Sequence, residues 1–268
     1  MKPVDTTYNY IQTYLRQVGA TGRFTVTLDE LKHQFPVSDK ALLQNLYRLK
    51  TKNHIAQVRQ GFYAIVPPEY SHTGMLPPTL IIDDMMTHLN RKYYVALFSA
   101  AAFHGAGHQQ PMTLQVVTQK PALRNIETPK IAIDFFVKAT WLSDQLVQMK
   151  TDAGYILVAS PELTAFDLVT YSPKIGGVNR CLTILRELVE AMTPAKLVRV
   201  ANNQKLPAIQ RLGFLLDSLG HDKFAESLYQ FLVTSRPRVV PLSVTHKNRD
   251  GSINKRWQII TNIEVDLA

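Results

Sequence analysis

This sequence predicts an α+β fold in two unequal parts. Three observations carry that reading: a basic run of amphipathic helical stretches closed by two short β-prone segments, a proline-rich break, and a longer apolar region where strand-like and helix-like patterns alternate. At 268 residues, 46% of them hydrophobic, the chain is long enough for one small and one larger core. The break is "VPPEYSHTGMLPP", Val66 to Pro78, which holds four prolines and Gly74. The expected division is therefore a first domain over 1–70, a linker over 71–78 and a second domain over 79–268.

In the first part, Tyr8 to Val18 carries Ile11, Leu15 and Val18 at helical spacing. A second helix opens at Thr27, whose hydroxyl and Glu30 three residues later have the pattern of a capping box; Leu28, Leu31 and Phe35 form its apolar stripe and Pro36 stops it. Ser38 is the expected N-cap of a third helix. Its apolar residues Leu42, Leu43, Leu46 and Leu49 are read as one core-facing side, with Lys40, Gln44, Tyr47, Arg48 and Thr51 opposite. "IAQV" and "FYAIV" then flank Arg59-Gln60-Gly61, a hairpin whose glycine supplies the positive φ of a tight turn. Helix, helix, helix, hairpin is the order of a winged helix-turn-helix domain, followed here by a larger mixed α/β domain.

In that second part, Leu80 to Leu89 and Tyr93 to Phe103 read as helices, and "TLQVVTQ", "IAIDFFVKA" and "YILVAS" as strands. Ser160-Pro161-Glu162 opens a helix to about Tyr171, with a hydroxyl cap, a proline where its missing N–H costs nothing, and a carboxylate at the positive end of the dipole. Gly176-Gly177 breaks the chain before helices over Arg180 to Met192, Pro194 to Ala201, Ala208 to Leu219 and Lys223 to Leu232. "VVPLSV" and "KRWQIITNIEV" read as two closing strands around a turn at Asp250-Gly251.

Composition narrows the function classes. The chain has 30 Lys and Arg against 21 Asp and Glu, a formal charge of +9, which favours a polyanionic partner. The lone Cys181 excludes an internal disulfide and suits a reducing compartment. "MKPVDTTYNY" lacks the apolar run of a signal peptide, and "YYVALFSAAAFHGAG" is too short to span a bilayer, so the expectation is a cytoplasmic protein without a membrane partner.

Catalytic patterns are weak. His104 and His108 have the spacing of zinc ligands on a helix, but Gly105 and Gly107 interrupt any helix through them. Asp134 and Lys138 lack the Glu-x-Lys unit a metal-dependent nuclease would add, Ser99 lacks the glycines of a nucleophile elbow, and there is no phosphate-binding glycine loop. The residues therefore assign no catalytic group, metal or cofactor. A nuclease or nucleic-acid-modifying enzyme targeted by the winged helix, with Asp134 indispensable, stands as the alternative.

The third helix is the candidate for DNA. In a major groove, Gln44 suits adenine, Arg48 suits guanine, and Lys40 suits base or phosphate, with Tyr47 and Thr51 beside them. Arg59 and Gln60 at the hairpin tip would reach phosphate or the minor groove. A plain protein-docking winged helix is the other possibility. "QRLGFLL" reads as packing, with Arg211 on an exposed edge, while Lys247, Arg249, Lys255 and Arg256 mark a possible second positive patch.

Five stretches, in order, carry a family resemblance: "GFYAIVP", "YYVALFSAAAFHGAG", "SPELTAFDLVTYSPKIGGVNRCLTILRELVE", "QRLGFLLDSLG" and "KRWQIITN". In them the chain resembles the AbiEi family, antitoxins and transcriptional regulators of type IV abortive-infection toxin-antitoxin systems. The resemblance implies an amino-terminal domain that binds inverted repeats in double-stranded DNA upstream of its own operon and represses it. It also implies a larger domain that counters a nucleotidyltransferase-like toxin without a stable complex. No active-site residue is carried over from it.

Overall fold

The computed structural model describes residues 6–70, 76–107, 111–129, 131–246 and 250–266. It is an α+β structure. The chain begins with α1 (Thr6–Ala20), β1 (Thr25–Thr27), α2 (Leu28–Gln34), α3 (Asp39–Thr51), β2 (Ile55–Arg59) and β3 (Phe62–Ile65). The strands form one antiparallel sheet in the order β1-β3-β2, an arrangement compatible with the winged helix-turn-helix. β1 is too short to be visible as a strand in the sequence. Both expected caps are present: Thr27 Oγ1 accepts from the Glu30 amide at 3.1 Å, and Ser38 Oγ from the Ala41 amide at 3.3 Å. Gly61 has φ +73° in the hairpin turn.

Side chains on a strand alternate faces, and β3 uses both. Tyr63 and Ile65 join Ile11, Leu15, Leu31, Leu42, Leu46 and Leu49 in a small core. Phe62 and Ala64, with Ala56 and Val58 of β2, instead join the large core of the remaining chain. The hairpin sheet is thus a shared wall between the two cores, and not an appendage on a linker. Its second face is covered by α4 (Ile82–His88): the Thr25 hydroxyl donates to Asp84, and the rings of Phe62 and His88 lie 5.3 Å apart. Residues 71–75 of the expected linker lie outside the described residues.

The larger part is built on β4 (Tyr93–Val95), α5 (Leu97–Phe103), β5 (Leu114–Thr118), β6 (Ile126–Glu127), β7 (Ala132–Val137), β8 (Leu146–Thr151) and β9 (Gly154–Ala159). These strands make a mixed six-stranded sheet in the order β6-β7-β5-β4-β9-β8. The helix expected over Tyr93 to Phe103 is corrected: its first three residues are β4, a central strand between β5 and β9. The switch falls at Leu97, whose φ of +55° turns the chain from strand into helix. A strand buried on both faces has no polar alternation, so its apolar run reads equally well as helix.

Tyr93 donates to Asp83 of α4 at 2.7 Å, whereas Tyr94 donates to Asp167 of α6 (Pro161–Tyr171) at 2.8 Å. Consecutive strand residues point oppositely, so α4 and α6 cover opposite faces of the sheet. Beyond α6 come α7 (Val178–Leu188), α8 (Pro194–Ala201), α9 (Leu206–Ser218) and α10 (Asp222–Val233), all close to their expected spans. Ser160 caps α6, accepting from the Leu163 amide at 3.2 Å. The tail differs from expectation: instead of two strands, its described residues hold three two-residue strands, β10 (Val240–Pro241), β11 (Ile253–Asn254) and β12 (Ile259–Ile260), in the order β10-β12-β11. Among the described residues no helix is long and apolar enough to cross a membrane.

Candidate nucleic-acid interface

Helix α3 stands with one side on the small core and the other in solvent. Leu42, Leu46 and Leu49 are buried, joined by Asn45, while Lys40, Gln44, Tyr47, Arg48, Lys50 and Thr51 are exposed. Leu43 does not belong to the core side. At about 100° per residue it is rotated about a quarter turn from Leu42, away from the core arc, and it is 50% exposed. Asn45 falls on the other flank of that arc and is covered instead. All five α3 residues singled out from the sequence therefore share one solvent face, with Leu43 among them.

The face is ordered by local contacts. The Thr51 hydroxyl donates back to the Tyr47 carbonyl at 3.0 Å, and the Lys50 ammonium lies 5.9 Å from the centre of the Tyr47 ring. Asp39, the acidic residue of α3, is held by Lys32 at 2.9 Å. What remains along the middle of the helix is cationic, amide and apolar, the side-chain chemistry that reads base edges between phosphates.

Arg59 is the clear departure from expectation. The β2–β3 register shifts between Gln57 and Arg59, so that Arg59 lies opposite Phe62. Directly paired residues share a face, and Phe62 faces the large core; the bulge thus swings Arg59 inward. Its guanidinium donates to the Arg124 carbonyl at 2.7 Å and lies 5.4 Å from the Phe135 ring centre. Burial lowers its pKa. Arg59 clamps the hairpin to the six-stranded sheet, and Gln60 alone of the expected tip pair is exposed. Between β2 and the β6–β7 turn runs a cleft of about 450 Å³, lined by Lys50, Asn53, Gln57, Arg59, Gln60 and Thr128.

The other candidates resolve into structural roles. His104 Nε2 lies 2.7 Å from the Ala159 carbonyl, and His108 lies outside the described residues. Asp134 accepts from the Asn125 side chain at 2.7 Å, and burial, with the Glu127 carboxylate next, raises its pKa. Ser99 Oγ accepts from the Gln115 amide at 3.0 Å. Among the described residues no three His, Cys, Asp or Glu side chains are grouped to hold a metal ion. Arg211, expected on an exposed edge, is half-buried and donates to the Pro241 carbonyl at 2.9 Å. Arg256 is likewise engaged, reaching Asp217 at 3.1 Å and Glu226 at 2.6 Å, so it does not extend a positive tail patch; Lys247 and Arg249 lie outside the described residues.

A buried polar network went unread in the sequence. Lys138 of the segment after β7 binds Asp167 of α6 at 2.7 Å, and Asp167, fully buried, also accepts from Tyr94. The Tyr171 hydroxyl donates to the Val137 carbonyl at 2.8 Å beside them. Asp167 sits mid-helix with Leu163, Phe166 and Leu168, all buried, close around it. A carboxylate amid such an apolar run was the available signal.

Residues 94–218 match the family model described as the AbiEi antitoxin C-terminal domain. A comparison with curated proteins finds no match. Among solved structures, the crystal structure of the RV2827C protein from Mycobacterium tuberculosis is similar, with a TM-score of 0.64 at 16% identity, over 92% of this chain and 89% of that one. That likeness bears on the fold alone.

Proposed function

Since the chain belongs to the AbiEi antitoxin family through residues 94–218, we propose that it is a type IV antitoxin that also represses its own toxin-antitoxin operon by binding DNA. The family is a regulatory one. In this reading the amino-terminal part, 1–70, holds the operator and the remainder, from 79 onward, counters a nucleotidyltransferase-like toxin without a stable complex with it.

The observation that supports DNA binding most strongly is the solvent face of α3, where Lys40, Gln44, Tyr47, Arg48 and Thr51 stand together outside both cores. A helix presented in this way enters a major groove with its amide and guanidinium groups at base edges, while Lys50 and Lys52 near its end meet phosphates. Gln60 at the hairpin tip adds a polar contact to the flanking backbone. Arg59 has a different part: it fixes the angle between hairpin and sheet.

Two assays on the full chain separate the proposed activities. Arg48→Ala should weaken the gel shift of the DNA upstream of the chain's own reading frame by about tenfold or more, the loss of one bidentate base contact. The same variant should still protect cells from the neighbouring toxin. Undiminished DNA binding by Arg48→Ala and Lys40→Ala together would remove α3 from the account. Divalent-metal-dependent cleavage of DNA or RNA, abolished by Asp134→Asn, would favour the enzyme reading instead.

A further inference from the structure

Leu43 and Tyr47 are large apolar side chains left 50% and 65% exposed on a helix otherwise covered by cations and amides. They are four residues apart, so they stack on one ridge of α3, and Lys50, three residues beyond Tyr47, flanks it. Lys40, Gln44 and Arg48, likewise four apart, form the adjacent ridge. The result is a small apolar spot inside a positive rim.

A second copy of the chain is a poor occupant of this spot. Two-fold pairing through it would set Lys40, Arg48 and Lys50 against their own duplicates, with only the Lys32-bound Asp39 on this helix to oppose them. A major groove meets both requirements: phosphates on either side for the rim, and the 5-methyl groups of thymine on its floor for the apolar centre.

We propose that Leu43, supported by Tyr47, is a specificity-determining residue that packs on thymine 5-methyl groups of the operator. This rests on the DNA-binding reading above and adds to it a base preference. Hydrogen-bonding residues alone would read only donors and acceptors; Leu43 would make the site sensitive to a group that carries no hydrogen bond.

The test uses the full chain and a duplex from its own upstream region, defined by footprinting, in two forms: native, and with deoxyuridine replacing every protected thymidine. The replacement keeps all base-pairing edges and phosphates and removes only methyl groups. Wild-type affinity should fall about fourfold for each methyl covered, while the salt dependence stays unchanged because no phosphate contact is lost. Leu43→Ala, an exposed change to a favoured helix residue, should bind both duplexes alike and no better than wild type binds the deoxyuridine form. Equal wild-type affinity for the two duplexes, or full methyl sensitivity in Leu43→Ala, would overturn this inference and leave the DNA-binding reading standing. Absence of any binding to the native duplex would overturn both.

Discussion

Gly213 lies in the middle of α9, where glycine costs about 1 kcal/mol relative to alanine. Its presence is explained by Trp257, a fully buried side chain that crosses α9 at this point: a Cβ on Gly213 would stand 2.0 Å from Cζ3 and 2.3 Å from Cη2 of the indole. No shift of a few tenths of an ångström relieves that overlap, so Gly213→Ala must displace the ring. The displaced Trp257 would lose its packing and the 2.7 Å hydrogen bond from Nε1 to Asp217. Losing a packed tryptophan costs about 3–5 kcal/mol, and the better helix propensity returns about 1, leaving a net loss of about 2–4 kcal/mol. Urea denaturation followed by tryptophan fluorescence should show the midpoint fall without a change in slope. Trp257→Leu should be far less harmful in the Gly213→Ala background than alone, because both substitutions act on one contact. A Gly213→Ala protein as stable as wild type would refute the close approach.

Three further outcomes follow from the same contacts. Asp167→Ala leaves the largely covered Lys138 ammonium without its buried carboxylate and should cost about 3 kcal/mol in chemical denaturation, more than Lys138→Met and Asp167→Leu made together. Burial pushes the Cys181 thiol up to about 12, while an unfolded thiol titrates near about 8.5; its contribution to stability is complete below that lower value and lost as pH climbs toward the upper one. Native protein at pH about 8 should therefore react with a disulfide reagent only at the rate of unfolding, and rapid labelling would contradict the burial. Arg59→Ala should lower stability by about 1–2 kcal/mol through loss of the Arg124 carbonyl contact, while leaving the salt dependence of DNA binding unchanged; a reduced salt slope would return Arg59 to the DNA.

The contrast between Ser38 and Arg59 marks what was legible in the sequence. A cap, a stripe and a stop are local, and α2, α3 and α6 follow from Thr27, Ser38 and Ser160 with a few neighbours. Arg59 depends on a one-residue bulge that flips a side chain across a sheet, and no residue type announces it. Leu43 departs from the core-facing side for a smaller reason: adjacent helix residues are rotated by about 100°, so Leu42 and Leu43 do not share one side. β4 was hidden by being buried on both faces, and the partnership of Gly213 with Trp257 spans a separation that no local pattern records. The α3 face was readable because amphipathicity is a property of one helix; the hairpin's attachment to the large core was not, since it depends on packing between distant segments.

The central claim is that the solvent face of α3 grips DNA through its cations, and a salt titration of binding to the upstream duplex tests it most directly. With Lys40, Lys50 and Lys52 each meeting about one phosphate, log affinity should fall against log salt with a slope of about −2.7 per protomer, and of about −1.8 for Lys50→Ala. A slope near zero, or one that Lys50→Ala and Lys40→Ala leave untouched, would contradict it.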